Sequence, residues 1–223
     1  MGRVAEIKRE TKETSIMMKL NLDGTGEAKL EYPIGFMAHM LASFAKHGLF
    51  DIEIRAKGDL EVDQHHLVED TGIVLGQCFS QALGERRGIR RVGSCLYPMD
   101  EALVRSAVDI SGRPYLVFNE EFPVLPGGNP AGNPAENLTE NPVGNAADIA
   151  AEIPGFQVDT VQDFWQAFVS GAGITLHLDV LRARSCHHKI ESLFKAAARS
   201  LREACEIDPR GSDSIPSTKG VIV

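Results

Sequence analysis

Long apolar runs are absent. Nowhere does the chain offer the roughly 20 consecutive apolar residues that a membrane-crossing helix needs. Cysteine is scarce: the four (Cys78, Cys95, Cys186, Cys205) include no C-x-x-C pair, so a Cys-type zinc site is not expected and the thiols are read as reduced. Positive charge is in the minority, and the net charge of −8 argues against a general nucleic-acid surface. A local basic pocket for a small anion stays compatible with it. The opening "MGRVAEIKRETKET" is charged from the start and lacks the apolar core of a signal peptide. A soluble cytoplasmic protein, with neither nucleic acid nor membrane as partner, is the expectation. What is present is 223 residues, 43% of them hydrophobic, enough for one domain or two small halves sharing a core.

The pattern of elements repeats. Ile16, Met18, Leu20 and Leu22 alternate, as on a strand with one buried face, and Asp23-Gly24 supplies turn chemistry. Residues 36–47 are apolar at helical spacing, residues 50–55 alternate again, and His65 begins a second helix. The second half runs in the same order: a strand ending at Ser111-Gly112, a helical stretch at 163–168, alternation over 174–180, and a long helix opened by His187. Glu13 and Glu101 each precede a turn glycine by 11 residues; His39 lies 26 residues before His65, and Asp163 lies 24 before His187. The spacing predicts an α+β fold of two duplicated β-β-α-β-α halves, 1–88 and 89–223, each a four-stranded sheet with helices packed on one face. An irregular insertion at about 123–156, rich in Pro, Gly and Asn, interrupts the second half and is read as an exposed segment with no regular element.

Two stretches carry the chemistry. "DQHHLVEDTGIVLGQ" at 63–77 and "SCHHKIESLFKAAARSLREA" at 185–204 each place two adjacent histidines three residues before a glutamate, each time opening a helix. Residues i and i+4 share a helix face, so His65 with Glu69, and His187 with Glu191, can hold one ion together. His66 and His188 point about 100° away and can serve a second ion. Two copies suggest two similar metal sites, and His39 adds an imidazole at the start of the first helix. Imidazole plus carboxylate without paired thiols suits Mn²⁺, Fe²⁺, Zn²⁺ or Ni²⁺, and the sequence does not choose among them. His47, before Gly48 at a helix C-terminus where a cation suits the dipole, is read as structural.

The chain resembles the imidazoleglycerol-phosphate dehydratase family. The resemblance lies in "RETKETSIMMKLNLDGTG", "IGFMAHMLASFAKHGLFD", "GDLEVDQHHLVEDTGIVLGQ", "YPMDEALVRSAVDISGRPYLVF", "ITLHLDVL", "HHKIESLFKAAARSLREA" and "DPRGSDSIPSTKG", nearly the whole chain outside the insertion. It implies a ribosomal protein S5 domain 2-like fold of two repeated halves. It implies a hydro-lyase of histidine biosynthesis that removes water from D-erythro-imidazoleglycerol phosphate to give imidazole-acetol phosphate. It implies two Mn²⁺ per active site at subunit interfaces, and a homo-oligomer of trimers forming a shell of about 24 chains with closed symmetry. By the same resemblance His39, His65, His66, Glu69, His187, His188, Glu191 and Asp163 are the metal ligands, and Glu13 is the acid/base. Arg91, Arg113, Lys195, Ser217 and Lys219 match the positions that hold the substrate's phosphate.

Two positions depart from the family pattern. Ala38 stands before His39 where the family usually has aspartate, and Asp163 stands where the second half usually has the counterpart of His39, a histidine. Aspartate suits Mn²⁺ as an oxygen ligand but has a shorter reach. Ala38 removes a carboxylate that could orient an imidazole. Two other functions fit parts of the pattern: a non-catalytic, metal-bound structural homologue, favoured by these two departures, and a binuclear metal hydrolase acting on a small phosphate ester.

Overall fold

The computed structural model describes residues 2–120, 153–211 and 214–222. The expected insertion therefore lies outside the described residues except for 153–156. The first half contains β1 (Val4–Glu10), β2 (Thr14–Asn21), β3 (Ala28–Glu31), α1 (Gly35–Gly48), β4 (Asp51–Gly58) and α2 (His65–Leu83). The second contains β5 (Val92–Met99), β6 (Ala102–Asp109), β7 (Tyr115–Asn119), α3 (Thr160–Ala172), β8 (Thr175–Arg182) and α4 (Cys186–Cys205). Each half makes one four-stranded mixed sheet, ordered β1-β2-β4-β3 and β5-β6-β8-β7. The last strand of each sheet runs parallel to its neighbour and the other pairings are antiparallel.

The two-half architecture is the expected one, but among the described residues each half has three strands before its first helix. The short edge strands β3 and β7 escape the alternation test, since "AKLE" holds a single large apolar residue and neither strand has a buried position. Alternation does mark the central strands. Ile16, Met18 and Leu20 of β2, Ile54 of β4, Val104 of β6 and Leu176 and Leu178 of β8 are all fully buried.

The helices pack on their own half's sheet and then across the repeat: α2 lies against α3, and α1 against α4. The α2–α3 contact is close because glycine lines it. A Cβ on Gly72 would stand 2.4 Å from the Phe164 carbonyl oxygen, and one on Gly76 would stand 2.3 Å from that of Phe168. From the other side, a Cβ on Gly171 would meet the Ile73 carbonyl oxygen at 2.7 Å. Around this joint, Phe44, Phe50 and Phe79 from the first half meet Phe164, Trp165, Phe168 and Phe194 from the second, all fully buried. The Phe44–Trp165 and Phe79–Phe168 ring centroids lie 6.4 and 5.8 Å apart. Burial of each such ring is worth about 1.5–3 kcal/mol, and here the burial spans both halves. The expected division into 1–88 and 89–223 thus separates two repeat units that share one core.

Candidate metal centre

Helix α4 starts with Ser185, whose hydroxyl accepts the His188 backbone N–H at 3.3 Å. That cap puts both histidines of the second motif in the first turn, and Glu191 one turn further on the same face as His187. Because α1 lies on α4, His39 of the first half arrives at the same spot. His187 Nε2 is 3.1 Å from Glu191 Oε2, His39 Nε2 is 3.4 Å from Glu191 Oε1, and the two rings are 5.8 Å apart. The three ligand atoms lie within 4.8 Å of one another. Phe36 stands edge-on to His187 at 5.1 Å and forms an apolar wall. Glu191 is buried, and burial alone opposes its ionisation. The Lys195 ammonium, 2.9 Å from Oε1, outweighs that, and with the two imidazoles it holds the carboxyl below its usual pKa. Lys195 also lies 3.7 Å from Met99 Sδ and 5.9 Å over the Tyr97 ring.

The first motif is arranged differently. His65 opens α2, its backbone N–H donating to Asp63 Oδ1 at 2.8 Å. Its Nε2 is 3.8 Å from Glu69, and its Nδ1 is 3.3 Å from Asp163 at the start of α3. These three side chains are each more than two-fifths exposed, and they do not form a compact ligand triad of the kind His39, His187 and Glu191 make.

The second histidine of each pair turns to a separate carboxylate. His66 Nδ1 lies 3.1 Å from Asp59, and the Asp59 hydrogen bond raises the pKa of the imidazole. His188 Nδ1 lies 2.8 Å from Glu101 Oε2, while Glu101 Oε1 accepts the Ser185 N–H at 2.9 Å. These two contacts, His188 first, pull the Glu101 carboxyl down to about 2. Asp100, Glu101 and His188 form the other compact group of possible ligands among the described residues. Adjacent rings therefore face apart, His65 and His66 at 79° and His187 and His188 at 86°. Sequence reasoning gave no role to Asp59 and Glu101. Asp59 follows a strand and has no periodic relation to His66. Glu101 carried one usable signal, its repeat equivalence to Glu13.

Glu13 is exposed on the β1–β2 turn, and that turn is pinned from below. Thr11 Oγ1 accepts the N–H groups of Glu13 and Thr14 at 3.0 and 2.9 Å, and the Glu13 carbonyl accepts the Asp59 N–H at 3.1 Å. The Thr14 hydroxyl donates to buried Asp70 at 2.5 Å, and Arg9 Nε lies 2.9 Å from the other oxygen of Asp70. Asp70→Ala leaves the Thr14 hydroxyl without its acceptor and Arg9 without its counter-charge. It is expected to cost about 2 kcal/mol and to lower Tm by about 5 °C, read by thermal unfolding; Asp70→Asn, which keeps an acceptor, is expected to lose less.

The residues expected to hold phosphate fall elsewhere. Arg91 donates to Asp109 through Nε at 2.7 Å and Nη2 at 3.1 Å, and through Nη1 to the Pro216 carbonyl at 2.8 Å. Ser217 and Lys219 follow Pro216, with the Lys219 N–H donating to Ser217 Oγ at 3.2 Å, and Arg113 is exposed just beyond β6. Arg91 precedes β5, whereas Met99 ends it beside Lys195. An eight-residue strand is roughly 27 Å long, so within one chain Arg91 and the "PSTKG" tail stand at the opposite end of the sheet from the imidazoles. Of the five basic and hydroxyl positions, only Lys195 lies at the imidazole end, and it is paired with Glu191. His47, read as a helix-terminal cation, is disfavoured as one: burial, then Lys195 and Arg199, lower its pKa.

Comparison with known proteins places this geometry. A family model described as imidazoleglycerol-phosphate dehydratase matches residues 33–141 and 137–201. A protein of that name from Cereibacter sphaeroides is 48% identical over 220 residues, 99% of this chain and all of its own length. One from Acinetobacter baumannii is 47% identical over 218 residues, covering 98% of this chain and 95% of its own. Among solved structures, the imidazoleglycerol-phosphate dehydratase of Staphylococcus aureus superposes with a TM-score of 0.73 at 30% identity, over 92% of this chain and 99% of the other. The corresponding structure from Pyrococcus furiosus gives 0.70 at 30% identity over 96% and 99%.

Proposed function

The chain belongs to the imidazoleglycerol-phosphate dehydratase family, and on that premise we propose that it is a hydro-lyase of histidine biosynthesis acting on D-erythro-imidazoleglycerol phosphate. The product is imidazole-acetol phosphate. The observation that carries this reading is the meeting of His39, His187 and Glu191 from opposite halves in a chain matched over its full length by dehydratases.

The donor set fits a divalent transition ion. It combines imidazole nitrogens with a buried, ionised carboxylate, and two Mn²⁺ per site suit such oxygen-and-nitrogen ligands. His39, His187 and Glu191 would hold one ion and His65 with Glu69 the other, and His66 and His188, which face away, would serve ions shared with neighbouring chains. Such an ion supplies Lewis-acid polarisation of the substrate's azole ring. The protein's own groups do the rest. The hydroxyl on the carbon beside the ring takes up a proton and leaves as water, the adjacent carbon gives up its proton, and the resulting enol loses its O–H proton as the carbon beside the ring gains one, giving the ketone. Glu13, on a turn fixed by Thr11, Thr14 and Asp70, carries these protons. Arg91, Arg113, Lys195, Ser217 and Lys219 hold the phosphate. The fork of Arg91 is already oriented by Asp109, and its third bond ties down the tail that bears Ser217 and Lys219.

The separation of these groups along one sheet supports a site built from more than one chain, and hence the homo-oligomer of trimers. Four unpaired thiols, three of them buried, support a reducing, cytoplasmic location. Among the described residues no helix is long and apolar enough to cross a membrane.

The test is to incubate Mn²⁺-loaded protein with imidazoleglycerol phosphate and follow the ketone. A folded, metal-loaded particle that forms no ketone favours the structural homologue, and release of inorganic phosphate favours the hydrolase. Chelation gives a second readout. EDTA is expected to convert the large particle to trimers, seen by sedimentation velocity. An unchanged profile after verified metal loss contradicts ligand sharing between chains.

A further inference from the structure

We infer that Asp163 is a positioning residue that orients His65, and is not a ligand of the ion that His65 and Glu69 hold. The inference rests on reading that pair as a metal site, and it deepens that reading.

The two carboxylates near His65 address opposite sides of the ring. The imidazole nitrogen nearest Glu69 is Nε2, at 3.8 Å, and the one nearest Asp163 is Nδ1, at 3.3 Å. An ion bound through one ring nitrogen lies about 2 Å out from it, directed away from the other. One ion on His65 therefore cannot take both carboxylates. The repeat decides which nitrogen is used. Glu191, the counterpart of Glu69 at the same i,i+4 spacing, faces Nε2 of His187. Ion binding at Nε2 leaves Asp163 on the Nδ1 side, where an ionised carboxylate can only accept the ring N–H. A hydrogen bond there, which the 3.3 Å approach brings within reach, would fix the tautomer and hold the ring in place for the ion.

A second observation agrees. His39, His187 and Glu191 make a compact triad, whereas His65, Glu69 and Asp163 do not, although α2 and α3 are in close contact. His39 and Asp163 hold equivalent places in the repeat, but the aspartate side chain stops short of the place that an imidazole reaches. The two ion positions are then unequal: one draws two imidazoles and a carboxylate from a single chain, the other one imidazole and one carboxylate.

The test compares Asp163→Asn, Asp163→Ala and His65→Ala in the full-length protein. Bound Mn²⁺ per chain is measured by elemental analysis after equilibration over a range of free Mn²⁺, with electron paramagnetic resonance separating bound from free ion. The asparagine amide oxygen can still accept the Nδ1 hydrogen, so Asp163→Asn is expected to keep Mn²⁺ affinity within about 3-fold. Asp163→Ala is expected to weaken it by about 10- to 100-fold, as loss of an orienting partner does. Equal loss in both variants would make Asp163 a ligand and overturn the inference. No loss in either, with loss in His65→Ala, would make it idle and also overturn it. Unchanged binding in His65→Ala would remove the metal site itself, a failure distinct from the other two.

Discussion

His187→Ala is expected to abolish dehydration and to lower bound metal. The substitution removes one of two imidazoles from the compact triad and leaves Glu191 with Lys195 as its nearest cation, 2.9 Å away. That ion pair then competes with any incoming metal for the carboxylate. Metal affinity and site assembly depend on each other, so loss of one ligand weakens the whole centre. A Lewis acid contributes several kcal/mol to stabilising transition-state charge, so a fall in kcat of about 1000-fold or more is expected. His65→Ala is expected to behave likewise at the other ion. Helix α4 buries its apolar face through Ile190, Leu193, Phe194 and Leu201, and His187 is exposed, so the variant should still fold. Ketone formation and metal content measured on the same sample check the result. Full occupancy in both variants would count against the ligand assignment.

Gly76→Leu is expected to be strongly destabilising although it lies outside the site. A Cβ there stands 2.3 Å from the Phe168 carbonyl oxygen and 2.8 Å from the Ala172 nitrogen, both backbone atoms that cannot rotate aside. Relief requires α2 and α3 to separate, and that opens the aromatic core shared by the halves. Glycine costs a helix up to about 1 kcal/mol relative to other residues, so a leucine here gains propensity and loses packing. Overpacking commonly costs 1–3 kcal/mol, and a clash with fixed backbone lies at or above the top of that range. A fall in Tm of about 10 °C, or failure to recover folded protein, is expected. Gly35→Ala serves as the control, since a Cβ at Gly35 meets nothing within 4 Å. Thermal unfolding of the two side by side checks the prediction.

The central strands and the long helices were legible in the sequence because one periodicity governs each. Ile16, Met18 and Leu20 alternate, and every one is buried. The edge strands β3 and β7 were not legible, since an edge strand with no buried position has no pattern to show. The imidazole-carboxylate motifs could be read because i,i+4 spacing fixes a shared face. Spacing within one helix says nothing about which other helix lies opposite, so the crosswise meeting of His39 with His187 and Glu191 had to come from the structure. The same holds for Asp163, whose approach to His65 depends on helix packing over a long sequence separation, and for Asp59, which reaches His66 through the geometry of the loop between β4 and α2. The separation of Arg91 from the imidazoles follows from strand direction, which residue identities do not encode.

The crossed packing of helices has a consequence for descent. The group of His39, His187 and Glu191 and that of His65, Glu69 and Asp163 each take one helix from either copy of the repeat, so a half-length ancestor could have made such a group only by pairing with its twin. Joining the twins in one polypeptide released them from having to stay alike. An imidazole on the first copy and a carboxylate at the matching place on the second record how far they have since diverged.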